Sequence, residues 1–513
     1  MGIVNLNRLM FMQRQKRRRQ FQARNRSIAS RAKTKRSLYK QVENSLGSQI
    51  KRCSGSNLPE DIWCHIHSLM PMRDAAQVAC VSQAFVRSWR CHPNLDFSEE
   101  TLGLKIESPC AEDEKARDFN SKVDRILKNR SGIGVRAFRF HVPSAYNEDC
   151  SNLDRLDSWL QIAVKPGIEE LSLILTVDQK YNFPVPLLSG GTGDSLRHLF
   201  LASCHFHPTA GLGCLRSLTR LQLYLVHITS SELGSLLSGS FALERLELRH
   251  CSMITCLRIP CLQRLSYLEV VHCFSLRVIE SKAPNLSSVC FAGDLHVQLS
   301  LGETWKIKKL DRSCNNAAFY ARTELPSSMP NLEALTIFSN TEMVNTPMVP
   351  SKFHHLKFLS IALGGLIYDY LSLISFLCFS FLGDFHLAAL RGRKERVSVF
   401  EDSSDLRMMP EHHHSKLKHV KIINFSSSKS LVELTCHILQ STRSLECLTL
   451  DTTHGLPRCS SNKSGKCISM VKEALAEAHR ALLAIQTYIK PKVPSTVEFN
   501  VLEPCSRCHA AGL

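Results

Sequence analysis

LRHLFLASC, residues 196–204, decides how this chain folds, because the same order of apolar and polar positions keeps returning. It comes back at Leu218 (LTRLQL), Leu243 (LERLELRHC), Leu265 (LSYLEVVHC) and Leu286 (LSSVCF), at intervals of 22, 25, 22 and 21 residues. Apolar residues at the fourth and sixth positions with polar ones between them alternate as a short strand does. The rest of each interval leaves room for a turn and a helix or loop. One such motif is cheap in a leucine-rich chain; five in near-constant register are not. Further copies begin at Leu332 (LEALTIFSN), Leu356 (LKFLSI), Leu417 (LKHVKI) and Leu445 (LECLTL), with looser ones at Ile168 (IEELSL) and Leu382 (LGDFHL). The 46-residue gap from Leu286 to Leu332 is two periods, so a degenerate copy is expected near Ile307–Leu310.

The template L-x-x-L-x-L, completed by x-x-C/N, resembles the leucine-rich repeat, here over residues 168–453. That resemblance implies an α/β solenoid: a curved parallel sheet with helices or loops on its outside. Cys204, Cys251, Cys273 and Asn340 fall on the ninth position, where a small polar group is expected to satisfy loop backbone donors inside the solenoid. Template leucines point inward and the alternating residues line the concave face. That face is expected to carry His198 and Phe200; Arg220, Gln222 and Tyr224; Arg245, Glu247 and Arg249; Tyr267 and Glu269; and Thr336 and Phe338. Aromatics beside arginines are enriched in interface hot spots, so the band reads as a substrate-binding surface. The plainer alternative is ordinary solvated strand surface.

Charge is distributed unevenly. The 513 residues carry a formal +18, yet residues 1–52 alone hold 15 Lys/Arg against Glu43, leaving 49 bases and 45 acids for everything after them. The body is nearly neutral, which removes most support for nucleic-acid binding by the fold itself. The basic tail reads as a self-repelling disordered arm. A nuclear-import signal, a mitochondrial transit peptide or an RNA contact are its other readings. No apolar core of secretory type stands near the start, so the 21 cysteines are expected to be reduced thiols of a nuclear or cytoplasmic protein.

Residues 58–97, LPEDIWCHIHSLMPMRDAAQVACVSQAFVRSWRCHPNLDF, have a different character. Asp61 suits the first turn of a helix with Ile62, Ile66 and Leu69 at helical spacing, and Pro71 ends it. Asp74 is expected to cap a second helix whose face carries Ala75, Val78, Ala79 and Ser82, with Phe85 and Trp89 beyond. About 40 residues bury little core, so such a module reads as adhesive. The run Leu58-Pro59-Glu60-Asp61-Ile62, then Ile66, Leu69, Pro71, Arg73-Asp74-Ala75-Ala76, Val81-Ser82 and Trp89-Arg90, resembles an F-box (56–97), in a version similar to plant, grass-type F-box proteins. It departs from many relatives at Gln83-Ala84-Phe85, where they carry a basic pair. The resemblance implies docking on a Skp-type adaptor of a cullin–RING ubiquitin ligase, through Leu58, Pro59, Ile62, Ile66, Leu69, Pro71, Val81 and Trp89. Some of these would touch the adaptor and others would hold the helices together.

The remaining segments fill in the outline. Residues 98–167 read as a linker into the repeats. The uncharged run 370–383 is too short to span a bilayer and reads as the buried helical part of a repeat. Residues 391–416, with His412–His414, read as an exposed loop. From Ile468, the residues Val471, Leu475, Ala478, Leu482, Ile485 and Ile489 mark one face of a helix stopped by Pro491 and Pro494, and 497–501 alternate like a strand. With 416–451, this end (454–513) looks like the FBD region that follows F-box and leucine-rich repeats in plants, and it can cap the solenoid. Cys505-Ser506-Arg507-Cys508-His509 matches a haem-attachment spacing, but a zinc site would need a second pair, and Cys459 and Cys467 are wrongly spaced. SGGTGDS (189–195) lacks phosphate-loop spacing and reads as a turn between repeats. No catalytic motif set, metal or cofactor is expected. The whole reads as a non-catalytic substrate receptor of an SCF-type ligase; a repeat scaffold without ligase assembly, or a protein acting on nucleic acid through its tail, are the alternatives.

Overall fold

The structure is a computed structural model that describes residues 58–505 apart from 105–111, 132–133, 143–152, 177–180, 209–214, 295, 340, 343–352, 365–368, 378–380, 391–396, 402–404, 408–413, 415 and 454–469. The basic tail, Asn340, His412, His413, Cys459, Cys467, Cys508 and His509 lie outside the described residues.

The strands are β1 (Asn94–Phe97), β2 (Ala137–His141), β3 (Glu170–Ile174), β4 (His198–Ala202), β5 (Arg220–Tyr224), β6 (Arg245–Arg249), β7 (Cys256–Ile259), β8 (Tyr267–Val271) and β9 (Val278–Ser281). They continue as β10 (Ser288–Ala292), β11 (Gln298–Ser300), β12 (Lys309–Ser313), β13 (Ala334–Ser339), β14 (Phe358–Leu363), β15 (Asp384–Ala389), β16 (His419–Ile423), β17 (Cys447–Asp451) and β18 (Glu498–Leu502). All but β7, β9 and β11 form one 15-stranded sheet laid down in chain order. Its neighbouring strands are parallel, with Arg220 opposite Arg245 and Arg245 opposite Tyr267. This is the leucine-rich-repeat solenoid. The expected copies all supply strands, and β12 occupies the place of the degenerate one.

Inward-facing Leu199, Leu201, Leu221, Leu223, Leu246, Leu248, Leu268 and Val270 are almost fully buried in one continuous core. Burying each contributes about 1.5–3 kcal/mol before entropy is counted. Interval length decides what covers the other side. The 25-residue step from Leu218 to Leu243 holds a helix, Ser230–Ser238, started by a capping box between Thr229 and Glu232. The 21- and 22-residue steps that follow hold β7 and β9 instead, and with β11 these make a second sheet in the order β11-β9-β7. A strand covers the same rise with fewer residues than a helix.

Several expectations need correcting. Residues 98–167 are not a linker, because β2 lies within them, and the sheet already begins at β1 inside the F-box-like stretch. Phenylalanines disguise the template there: Val135, Phe138 and Phe140 stand at the three apolar positions, all buried. Asp74 does not cap the second helix (Met72–Ala79), which starts from Pro71. Ser82 belongs to no face of that helix; its side chain accepts from Phe85 N–H and caps a third helix, Gln83–Arg90. Two ninth-position thiols also donate: Cys251 Sγ points to the Leu223 and Arg249 carbonyls at 3.6 and 3.5 Å and Cys273 Sγ to the Val271 carbonyl at 3.9 Å, while backbone bonds to Cys251 and Cys273 favour the thiolate, as expected of sulfurs that face N–H donors. The Arg249 carbonyl also accepts from Leu225 N–H at 2.8 Å, so the thiol, a weak donor, shares an acceptor already in use. Val471 is exposed, just ahead of the C-terminal helix Lys472–Ala484, whose buried face is Ala474, Leu475, Ala478 and Ala481. That helix runs on through a wider turn, Ile485–Ile489, to β18, which closes the sheet against β17.

Of 391–416, Val397 and Phe400 are exposed as expected, but Ser398, Val399 and His414 are buried. Arg407 fastens this excursion down. Its Nε donates to Glu433 Oε2 at 2.9 Å, and its Nη1 and Nη2 reach both oxygens of Asp369 at 2.8 and 2.9 Å. No helix among the described residues is long and apolar enough to cross a membrane; Tyr370–Leu377 is a short, buried helical segment.

Candidate functional site

Two surfaces carry the residues singled out in the sequence. The first is the helical module made of Glu60–Ser68, Met72–Ala79 and Gln83–Arg90. Met72, Ala75 and Ala79 form its buried side, and Phe85 packs edge-on to Trp63 and His67 with centroids 4.6 and 5.5 Å away. The structure sorts the F-box-like residues that the sequence left together. Leu58, Pro59, Ile62, Leu69, Pro71 and Val81 are exposed, whereas Ile66 and Trp89 are half-buried, with Trp89 packed against the core and 5.7 Å from His92. Leu69 is 73% exposed and Val81 77%, an unusual display for apolar side chains on so small a bundle.

The module is fixed to the first strand. Asn94 N–H donates to His92 Nδ1 at 3.2 Å, and His92 Nε2 lies 3.3 Å from the Met70 carbonyl. A donor facing Nδ1 demands an unprotonated Nδ1, so the ring is neutral with its proton on Nε2. Burial, the largest influence, holds its pKa below the ordinary histidine value. Asn94 Nδ2 donates to the Ser68 carbonyl at 3.2 Å, and Arg73 Nη1 to the Glu100 carbonyl at 3.1 Å.

The second surface is the open face of the sheet. Parallel register stacks equivalent positions side by side, so residues about 25 apart in sequence become neighbours. Arg220 Nη2 lies 2.7 Å from Glu247 Oε1, and Gln222 Nε2 donates to Glu247 Oε2 at 2.5 Å. Arg245 joins the same carboxylate at 3.4 Å while its guanidinium lies 3.8 Å over the Tyr267 ring. Tyr267 OH donates to Glu269 Oε2 at 2.6 Å, and Arg249 pairs with that same carboxylate. Burial first, then the bond to Glu269, pushes the Tyr267 phenol above its ordinary range, so it stays a donor.

Glu247 and Glu269 were expected to line the face as contact residues, but they are only 6% and 5% exposed. They are internal counterions that hold the arginine forks in place. Tyr224 stands edge-on to His250, with centroids 5.6 Å apart. His198 is exposed and Phe200 half-buried on β4, next in the sheet. Thr336 and Phe338 lie on β13, separated from β8 by β10 and β12, so the structure does not bring them to this cluster.

An aromatic edge escaped the sequence reading. His250 and His272 follow the ends of β6 and β8 with φ of 54° and 53°, a left-handed conformation that Ser203 and Leu225 share in the preceding repeats. Their rings lie 5.2 Å apart, and His272 stacks on Phe274 at 5.6 Å. Burial depresses the pKa of both histidines, and Arg249 nearby adds to the effect. The signal was in the sequence: RHC and VHC put a histidine just before each ninth-position cysteine.

Among the described residues no three His, Cys, Asp or Glu side chains converge as a metal would need. The Ser441–His437 contact, 3.2 Å, is buried within one helix and cannot meet a substrate.

Comparison with known proteins agrees with this geometry. The family described as "At1g61320/AtMIF1, LRR domain" matches residues 126–506, which leaves the helical module outside the match. Among curated proteins of Arabidopsis thaliana, the chain is 25% identical over 237 residues to "F-box/LRR-repeat protein At4g14096" (45% of this chain, 48% of the relative). It is 27% identical over 217 residues to "F-box/LRR-repeat protein At5g02910" (42% of each). It is also 27% identical over 249 residues (46% of each) to At4g03220, whose name adds FBD to F-box and LRR-repeat. The chain spans less than half the length of these curated relatives.

Proposed function

We propose that this chain, which belongs to the leucine-rich-repeat family described as At1g61320/AtMIF1, LRR domain, is a substrate receptor of an SCF-type ubiquitin ligase. The helical module docks on a Skp-type adaptor, and the open sheet face holds the protein to be modified. The receptor does no chemistry itself; it raises the effective concentration of a target lysine at the conjugating enzyme. The observation that carries this reading is the set of exposed apolar side chains at F-box positions, Ile62, Leu69 and Val81, on a module hydrogen-bonded to β1. Relatives named F-box/LRR-repeat proteins support it. The C-terminal helix and β18 act as the FBD-like cap of the solenoid, and the chain works in the nucleus or the cytoplasm.

Co-purification with a plant Skp-type adaptor tests the proposal, wild type against a Leu58→Ala/Pro59→Ala double variant. A stoichiometric complex that the variant loses supports the receptor. A well-folded wild type that takes up no adaptor overturns it and leaves a repeat scaffold without ligase assembly.

A further inference from the structure

The charges on the sheet face do not balance. Across β5, β6 and β8 three guanidiniums (Arg220, Arg245, Arg249) meet two carboxylates (Glu247, Glu269). Glu269 is matched by Arg249 and the Tyr267 hydroxyl, while Glu247 is shared between Arg220 and Arg245. The surplus positive charge therefore sits at Arg220 and Arg245, whose side chains are 39% and 41% exposed. The adjoining β10 adds no charge, since its outward residues are Ser288, Cys290 and Ala292.

At the other end of the same strands lies the edge of Tyr224, His250, His272 and Phe274, with Phe274 75% exposed. A strand advances about 3.3 Å per residue, so the step from Arg245 to His250 spans roughly 16 Å. An extended polypeptide covers that distance in four or five residues.

We infer that this face binds an extended segment of a target protein in which an Asp or Glu and a bulky apolar side chain stand four or five positions apart. The carboxylate lies between Arg220 and Arg245, and the apolar side chain rests on Phe274 and the two histidine rings. One surplus positive charge matches a monoanionic carboxylate; a dianionic phosphate would bring an unmatched negative charge beside Glu247. Glu247 also holds both forks in place before the target arrives, which lowers the cost of ordering them. The inference rests on the receptor reading and names the class of substrate that the receptor selects.

The test pans a random dodecapeptide display library on the full chain, then measures the best peptide by fluorescence anisotropy. The expected result is enrichment of an acid four or five positions from an aromatic or large aliphatic residue. Replacing that acid by its amide weakens binding at least tenfold, as does Phe274→Ser or the triple variant Arg220→Gln/Arg245→Gln/Glu247→Gln, which strands no buried carboxylate. Lys309→Gln, on β12 beyond β10, leaves the affinity unchanged. No enrichment over the input library, enriched peptides without an acid, tighter binding of a phosphoserine version, or equal loss in Lys309→Gln overturns the inference. Adaptor co-purification from the same preparation keeps the two questions apart. A chain that binds adaptor but selects no such peptide overturns only the substrate class, and one that selects the peptide but takes up no adaptor overturns only the ligase role.

Discussion

Leu69 and Val81 allow binding to be separated from folding, because both are largely in water within the free chain. Truncating Leu to Ala removes three carbons and Val to Ala two, at about 0.8 kcal/mol per methylene moved out of water. Scaled by exposures of 73% and 77%, full burial in an adaptor interface is worth about 2 kcal/mol at Leu69 and about 1 kcal/mol at Val81. The double variant Leu69→Ala/Val81→Ala should therefore bind the adaptor roughly a hundredfold more weakly. Its urea midpoint should stay within about 0.5 kcal/mol of wild type, as for other surface changes. Met72→Ala is the counterpart: Met72 is 6% exposed and packed into the core, so this variant should cost about 2–5 kcal/mol of stability. Isothermal titration with purified adaptor, alongside urea unfolding of the same samples, gives both numbers. A folded double variant that binds within threefold of wild type would refute the placement of these two residues in the interface, and a stability loss above about 1 kcal/mol would refute their exposure.

Three further outcomes follow from buried groups. Arg407→Ala leaves the Glu433 carboxylate, whose side chain is fully buried, without its cation. Arg407 itself is half exposed, so the loss should fall below that of a fully buried pair, at about 2–3 kcal/mol in urea unfolding, and Glu433→Gln in the same chain should recover part of it. His92 and His67 both have pKa values held below the ordinary histidine value by burial. The unfolded chain therefore takes up protons first, and their stabilising contribution, complete above about pH 6.5, is lost as pH falls below that point. Unfolding midpoints at pH 7.5 and 5.5 should differ in that direction, and His92→Gln should flatten the difference. The Cys204 thiol is buried and pushed up to about 12 by that burial, so maleimide at pH 8 should label exposed Cys80 and Cys261 while Cys204 reacts only after unfolding.

The repeat was legible wherever leucine or a close relative filled its three apolar positions, and every strand from β3 to β17 in the main sheet stood on a copy read from the sequence or, for β12, on the gap left for one. It was illegible at β1 and β2, where Phe97, Phe138 and Phe140 do the same packing with different letters. Core positions ask for apolar volume rather than for one residue type, so a template written in leucine passes over them. The strands β7, β9 and β11 were missed because alternations of three or four residues carry little signal of their own; interval length, which the sequence did show, is what excludes a helix there.

The candidate site divides along the same line. Outward positions on the sheet follow from strand alternation alone, which is how His198 through Glu269 were assigned to one face. Whether an outward residue meets a partner depends on its neighbours in the next repeat, some 22 residues away in the chain. Only parallel stacking brought Glu247 under Arg220 and Arg245 and made it a counterion, and only the left-handed turns after β6 and β8 set His250 and His272 against Phe274. The sequence by itself determined the period, the inward and outward sides, and the presence of an F-box-like module. Tertiary structure decided which side chains remain available to bind, because exposure and charge balance are set by contacts between repeats and period alone does not contain them.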